Sequence, residues 1–210
     1  MKNYLTLHIG KNDMIAAVIQ ARLGSTRLPR KVMKTFNGVP FIKILIERVK
    51  LSKTINQVIV ATGPIDKNLE LIEFLAKEKI NFFCGSEDNV LDRYINASKS
   101  IKADTIIRIT ADCPLIDPML IDIVVNEFLK NDFDYVSNIN PPTFPDGQDI
   151  EVIKYHALKD SLSYVENDYD KEHVTPFIRR NKKYKKKSVL NDIDYSNLRW
   201  TLDTELDLIT

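Results

Sequence analysis

The feature that most constrains this chain is an alternation. Short β-branched apolar runs, "MIAAVIQ" (14–20), "QVIVAT" (57–62), "INFFCG" (80–85) and "DTIIRIT" (104–110), are each followed by a polar loop and then by apolar residues at helical spacing. Asn37-Gly38 marks a turn, Pro40 suits a first helical position, and Ile42, Leu45, Ile46 and Val49 follow with the i, i+3, i+4, i+7 period. Asp66 is positioned to cap a helix through about residue 78, Ser86 one carrying Val90, Leu91 and Tyr94, and Asp117-Pro118 one carrying Leu120, Ile121, Val124, Val125 and Phe128. Strand and helix in strict turn imply a mostly parallel sheet covered on both faces. Ligands of such sheets bind beyond the carboxyl ends of the strands.

Past residue 130 the pattern loosens. "DYVSN" and "DIEVIKY" read as strands around the loop "INPPTFPDGQ", residues 170–181 read as helical, and "LRWTL" (198–202) reads as a last strand with Trp200 in the core. No repeat of fixed period and no linker-like stretch divides the chain, so residues 14–210 are expected to form one domain. Residues 1–13 lack the apolar segment of a signal peptide and read as a disordered or artefactual leader before Met14. The end, "LDTELDLIT", stops where a helix is expected to start, and a truncated C-terminus is the expectation.

Charge excludes some partners. Thirty Lys+Arg against 29 Asp+Glu leave a formal charge of +1, so no global field favours nucleic acid or an anionic membrane, and any anion site has to be local. The run "RRNKKYKKK" (179–187) reads as a solvated helix end. No apolar run approaches the roughly 20 residues of a membrane helix. Two cysteines, Cys84 and Cys113, suit a reducing cytosol, and Cys113 reads as a packing residue.

A local anion site is what the first loop offers. "QARLGSTRLPRK" (20–31) lacks the Gly-Lys-Ser/Thr ending of a Walker loop, yet Gly24 permits close backbone approach, Ser25 adds a hydroxyl, and Arg22, Arg27 and Lys31 supply charge for phosphate. Asp112 ends "IIRITADCP" and Asp203 follows "LRWTL"; two strand-end carboxylates beside a phosphate loop suit a hard cation such as Mg²⁺. "GSEDNVLDRY" sets Asp88, Asp92 and Arg93 near a helix start, where acidic residues also stabilise the helix itself. In "FPDGQDIEV", Asp149 and Glu151 lie two apart on a presumed strand and point the same way, as groups that hold sugar hydroxyls or as a plain solvent edge. "KEHVTPFIRR" offers Glu172 and His173 as further substrate contacts.

Taken together, "IQARLGSTRLPRKVM", "GSEDNVLDRY", "IRITADCPLIDP", "FPDGQDIEV", "EHVTPFIRR" and "RWTLDTELDL" resemble the sugar cytidylyltransferases, in the branch of spore coat polysaccharide biosynthesis protein F, with the 3-deoxy-manno-octulosonate and acylneuraminate enzymes as relatives. The resemblance runs from about Met14 to the end. It implies a three-layer α/β/α sandwich with a mostly parallel mixed sheet, the Rossmann-like nucleotide-diphospho-sugar transferase fold. It also implies activation of a sugar by CTP with loss of pyrophosphate, a homodimer, triphosphate binding by Arg22 and Lys31, and Mg²⁺ held by Asp112 and Asp203. With Arg22, Lys31 and Asp112 as the catalytic set, the nucleotide site extends over Gln20, Ala21, Gly24, Ser25, Arg27, Arg93, Thr110 and Ala111, and the sugar site over Asp149, Glu151, Glu172 and His173. Arg30 stands where the family commonly has Gly, and Gln20 where the octulosonate and acylneuraminate enzymes have Pro. A different base, a glycosyltransferase on the same fold and a non-catalytic nucleotide-binding module remain open alternatives.

Overall fold

The computed structural model describes residues 13–209; the leader expected over residues 1–13 lies, Asp13 apart, outside them. In chain order the elements are β1 (Ile15–Gln20), a hairpin of β2 (Thr35–Phe36) and β3 (Val39–Pro40), α1 (Phe41–Lys50), β4 (Gln57–Thr62), α2 (Ile65–Lys77), β5 (Phe82–Cys84), α3 (Val90–Ser100), β6 (Thr105–Thr110) and α4 (Pro118–Lys130). Then follow β7 (Tyr135–Ser137), β8 (Glu151–Lys154), α5 (Tyr155–Leu162), α6 (Asp168–His173), α7 (Pro176–Arg180) and β9 (Lys186–Ser188). Seven strands form one sheet in the order β5-β4-β1-β6-β8-β7-β9. β1, β4, β5 and β6 are mutually parallel, β8 runs against both of its neighbours, and β9 is parallel to β7, so β8 alone is reversed.

The three layers follow from the period-2 alternation of the buried strands. Ile15, Ala17 and Ile19 of β1 face a core shared with α1, α2 and α4, while Val18 faces a second core shared with α3, α5 and α7. The expected mostly parallel sheet covered on both faces is the one observed. No helix among the described residues is long and apolar enough to cross a membrane.

Local punctuation differs from the sequence reading in several places. Pro40 is not the first helical residue; it closes β3 and precedes α1. α2 starts at Ile65 after Pro64, which leaves Asp66 inside the first turn rather than at the cap. Asn89, not Ser86, caps α3, accepting from Asp92 N at 3.0 Å, while Ser86 Oγ accepts from Asn89 N at 3.0 Å one turn earlier. Asp117 caps α4 as expected, accepting from Met119 N at 2.8 Å.

The second half departs further. The single helix expected over residues 170–181 is two short ones broken at Val174-Thr175, and α5 was not anticipated. "RRNKKYKKK" is not a helix end throughout, since it runs on from α7 into the edge strand β9. "LRWTL" is no strand: it contributes one bridge, Arg199 to Asp146, and Trp200 is exposed in an apolar groove with Ile123, Phe144, Tyr195 and Leu198. The helix expected at the end is a 3-10 turn, Leu206–Leu208.

Candidate active site

Strand order reverses at β1, which has β4 on one side and β6, next in register but later in sequence, on the other. Gln20 and Thr110 are partners at the ends of β1 and β6, and Ala21 N donates to Ala61 O at 3.2 Å and Ala111 N to Gln20 O at 3.0 Å. The loops leaving those strands are thereby held side by side, at the switch point where open α/β sheets bind ligands. A cavity of about 320 Å³ opens there, lined by Gln20, Ala21, Arg22, Gly24, Ser25, Arg27, Lys31, Thr110, Ala111, Asp112, Glu172, His173 and Asp203, with Thr26, Val32 and Arg108. The loop after β1 is folded back on itself. Ser25 N and Arg30 N both donate to Leu23 O, at 2.9 and 3.1 Å, Leu28 is fully buried beneath, and Asn68 of α2 accepts from Leu23 N at 3.0 Å. Arg30 ends it in the left-handed region, φ 58°, which accounts for glycine as the usual occupant.

Charge organises the interior. Lys31 Nζ lies 3.2 Å from Asp112 Oδ2 and 2.9 Å from Asp203 Oδ1, and Arg27 lies 2.5 Å from Asp203 Oδ2. Asp203 gets there because Leu202 N donates to Asp112 O at 2.7 Å and Asp207 accepts from the Asp203 and Thr204 amides at 2.8 and 2.7 Å. Burial alone would raise the Asp112 carboxyl, but the charge of Lys31 and hydrogen bonds from Thr110 and Lys31 outweigh it and hold the group below its ordinary range. It is therefore ionised at neutral pH. Burial, with Asp112 alongside, pushes the Cys113 thiol well above its usual range, so it supplies no thiolate nucleophile.

Two carboxylates reaching one nitrogen are a hard-oxygen pair already shaped around a cation. Among the described residues no group of three or more His, Cys, Asp or Glu could hold a metal. The donor set fits Mg²⁺, which is commonly held by one or two carboxylates and completed by phosphate oxygens and water.

The opposite wall carries the remaining residues. Glu172 and His173 end α6, Arg22 lies 3.5 Å from Glu172 Oε1 and 3.5 Å from Glu87 Oε1, and the His173 ring packs on Tyr169 with centroids 4.4 Å apart. Arg22 and Glu172 also line a second cavity of about 420 Å³ with Ser86, Glu87, Asp88 and Asn89, which is where the "GSEDN" cluster comes to lie. Immediately after His173, Val174 has φ 70° and ψ −53° while Thr175 N donates to His173 O at 2.8 Å. That is a γ-turn of the rare, strained hand, on a buried β-branched residue. Outliers of this kind collect at functional sites.

Three expected site residues sit elsewhere. Glu151 does not face the sugar side: it is 1% exposed, with Arg108 Nη1 on Oε1 at 2.6 Å and the Tyr135 hydroxyl on Oε2 at 2.5 Å. It is the buried counter-ion of Arg108, a cavity-lining residue the sequence reading passed over although it stands two residues before Thr110 on the same strand face. Arg93 is likewise fully buried behind the loop, donating to Ser86 O at 2.6 Å and packed where a Gly85 side chain would stand. It shapes residues 85–86 rather than lining the cavity. Asp149, just before β8, has a solvent-exposed surface and is not among the residues that line the cavity; desolvation by the surrounding protein and the charges of Asp146 and Glu151 raise its carboxyl to about 6. Gln20 Oε1 and Arg108 Nε are buried on the cavity side without a partner. Orphaned polar atoms in a cleft mark where a ligand's own polar groups would bond.

A cationic loop facing a carboxylate pair at this switch point defines a nucleotidyltransferase class of site. The chain belongs to the cytidylyltransferase family, whose model matches residues 16–210. It is 40% identical over 196 residues to the uncharacterized protein MJ1063 of Methanocaldococcus jannaschii, covering 92% of this chain and 79% of that one. It is 34% identical over 174 residues to the spore coat polysaccharide biosynthesis protein SpsF of Bacillus subtilis, covering 80% and 70%. Among solved structures, a cytidylyltransferase from Leptospira borgpetersenii superposes with a TM-score of 0.89 at 34% identity, over 94% of this chain and 84% of that one. A CMP:2-keto-3-deoxy-manno-octonic acid synthetase complexed with CTP superposes at 0.72 with 16% identity, over 94% and 96%, which shows a common fold. The fold and enzyme class that the motifs implied are thus the ones found.

Proposed function

We propose that the protein activates a sugar with CTP, releasing pyrophosphate, for surface glycan or polysaccharide synthesis. The observation that carries this reading is the meeting of a cation of the first loop with two carboxylates, Asp112 just after β6 and Asp203 near the end of the chain, at one point, Lys31 Nζ. A sugar oxygen, from an anomeric hydroxyl or a sugar 1-phosphate, attacks the α-phosphorus in line. The new P–O bond forms as the bond to the pyrophosphate oxygen breaks, an attacking hydroxyl gives up its proton to water, and no protein nucleophile is needed. Positioning and charge neutralisation are then the protein's contribution.

Arg22, Arg27 and Lys31 hold the triphosphate, Gly24 and Ser25 let the backbone approach it, and Gln20, Ala21, Thr110 and Ala111 form the floor under the nucleotide. Arg93 acts through residues 85–86. Asp112 and Asp203 would hold Mg²⁺, which when bound supplies charge neutralisation at the phosphate oxygens. Glu172, His173 and Asp149, with Arg108, form the acceptor side. Two unpaired cysteines accord with a reducing cytosol, and a homodimer, implied by the related enzymes, completes the proposal.

The test is pyrophosphate release from each of the four nucleoside triphosphates against a panel of sugar acids and sugar phosphates. Release with CTP and one sugar class is the expected result. Release with GTP instead would move the protein to a guanylyltransferase activity, no pyrophosphate from any pair but sugar transfer would make it a glycosyltransferase, and CTP binding without turnover would make it a binding module.

A further inference from the structure

The two carboxylates assigned to the metal already hold a cation, and that cation belongs to the phosphate loop. Lys31 is mostly buried, its side chain 14% exposed, and its ammonium bridges Asp112 and Asp203 at 3.2 and 2.9 Å. Asp203 has other positive neighbours, Arg27 at 2.5 Å and Arg199 at 3.9 Å. Asp112 pairs with Lys31 alone among the described residues. Without ligand the cluster is thus close to neutral, and neither aspartate presents a free pair of oxygens to an ion from solution.

We infer that Lys31 is a displaceable counter-ion: it keeps the carboxylate pair closed to divalent metal until a triphosphate draws its ammonium away, so that metal and nucleotide bind cooperatively. The inference rests on the reading of Asp112 and Asp203 as metal ligands. Its physical basis is exclusion. An ammonium and a divalent ion cannot share the point both carboxylates reach, and like charges that close repel strongly in a half-buried site. Moving Lys31 alone would leave Asp112 without its counter-ion, and adding metal alone would crowd a divalent ion against the three cations already around Asp203, Lys31, Arg27 and Arg199. Exchange in one step avoids both, because the incoming phosphates accept the ammonium while the metal takes its place. Linkage makes the effect reciprocal: metal raises nucleotide affinity by the factor by which nucleotide raises metal affinity. A bare triphosphate should accordingly bind worse than its metal complex by more than the charge of the complex accounts for.

The test is Mn²⁺ binding to the nucleotide-free protein, followed by the electron paramagnetic resonance signal of free Mn²⁺. Lys31→Met is expected to tighten Mn²⁺ binding by about tenfold or more, within the usual range of site-to-site coupling. Lys31→Arg, which keeps the bridging charge, is expected to bind as the wild type does. Arg27→Gln frees one oxygen of Asp203 from an exposed partner and is expected to give a smaller rise. Because that variant leaves the interior intact, it decides the matter should Lys31→Met fail to fold, an unchanged affinity overturning the inference. Adding Asp112→Asn to each background separates the two layers of the argument. If wild type and Lys31→Met bind Mn²⁺ equally well and both lose it with Asp112→Asn, the metal site stands and the counter-ion role is overturned. If Asp112→Asn changes nothing in any background, the metal assignment itself fails, and the inference with it.

Discussion

The two walls of the cavity are built on opposite plans. The phosphate side is one contiguous stretch, residues 20–31, leaving a buried strand and pinned by Leu28 and Asn68; its side chains are cationic. The other side is gathered from distant segments: Glu172 and His173 end α6, Asp203 comes from the last stretch of the described chain, and the Arg199 to Asp146 pair at 2.7 Å ties that stretch to the loop before β8; carboxylates crowd it. Under the proposed function, the difference reflects what each side has to hold. A triphosphate carries a fixed, dense negative charge that a short basic loop can match in any relative of the fold. A sugar presents hydroxyls in a particular arrangement, which only separate segments brought to one place can match.

The largest effect should come where the walls meet. Asp112→Asn is expected to lower turnover by about 10²-fold or more while leaving the thermal midpoint near wild type, since it removes charge from an electrostatic site without emptying the core. Steady-state pyrophosphate release with saturating CTP and sugar measures it. Near-wild-type turnover would break the assignment of this carboxylate and with it the contrast between the walls.

That contrast also explains what was legible in the sequence. The parallel sheet could be read because β1, β4 and β6 are buried on both faces and so appear as unbroken apolar runs, and the phosphate loop because its cations are neighbours in sequence. Arg108 escaped notice because an arginine within "TIIRIT" looks like a solvent-facing interruption, when in fact Glu151, 43 residues on, neutralises it inside the fold. Glu151 reads as a sugar-side carboxylate in the sequence for the same reason: its partner is not local. The strand read in "LRWTL" followed from β-propensity alone, whereas Trp200 and its neighbours are set by the close approach of Gly147, φ 102°, where an added Cβ would stand 2.8 Å from the Trp200 backbone.

Glu151 sharpens the comparison next. Glu151→Gln leaves Arg108 as a buried charge without its counter-ion, and removing one partner of such a pair commonly costs about 3 kcal/mol or more. The expected result is a lower midpoint in urea with the KM for both substrates little changed among the molecules that remain folded. A raised KM for the sugar at unaltered stability would return Glu151 to the pocket.

His173 tests the acceptor wall directly. His173→Ala is expected to raise the KM for the sugar about tenfold, the worth of one good polar contact, and to leave the KM for CTP unchanged. Equal effects on both substrates would mean that α6 closes over the nucleotide as well.

Asp149 gives a smaller, pH-dependent signature. Its carboxyl titrates at about 6 in the folded protein, above the ordinary carboxylate range, because of desolvation and the charges of Asp146 and Glu151. The folded state then binds the proton more tightly than the unfolded one, so the group's contribution to stability is present below pH 4 and is lost as pH rises through 6. Thermal midpoints of Asp149→Asn should exceed those of the wild type at pH 7 to 8, with the gap closing between pH 6 and 4. A constant gap would show that the crowding of carboxylates on this wall is not felt at Asp149.

The smallest effect separates loop geometry from loop chemistry. Arg30 is left-handed at φ 58° and pairs with Glu70 across an exposed surface, outside the residues that line the cavity. The left-handed backbone costs a side chain-bearing residue about 1 kcal/mol. Arg30→Gly removes that strain, but it adds a similar unfolded-state entropy and loses a surface pair worth about 0 to 1 kcal/mol, so its stability should lie within about 1 kcal/mol of the wild type. Arg30→Ala loses the same pair and keeps the strain. Urea midpoints should therefore rank Gly above Ala, the reverse of the order at a position with ordinary backbone angles. Turnover in both variants should stay close to wild type, because phosphate charge is matched by Arg22, Arg27 and Lys31. Ala as stable as Gly would mean that the loop relaxes out of the left-handed turn; a loss of turnover in both would bring Arg30 into the cationic wall as a fourth phosphate contact.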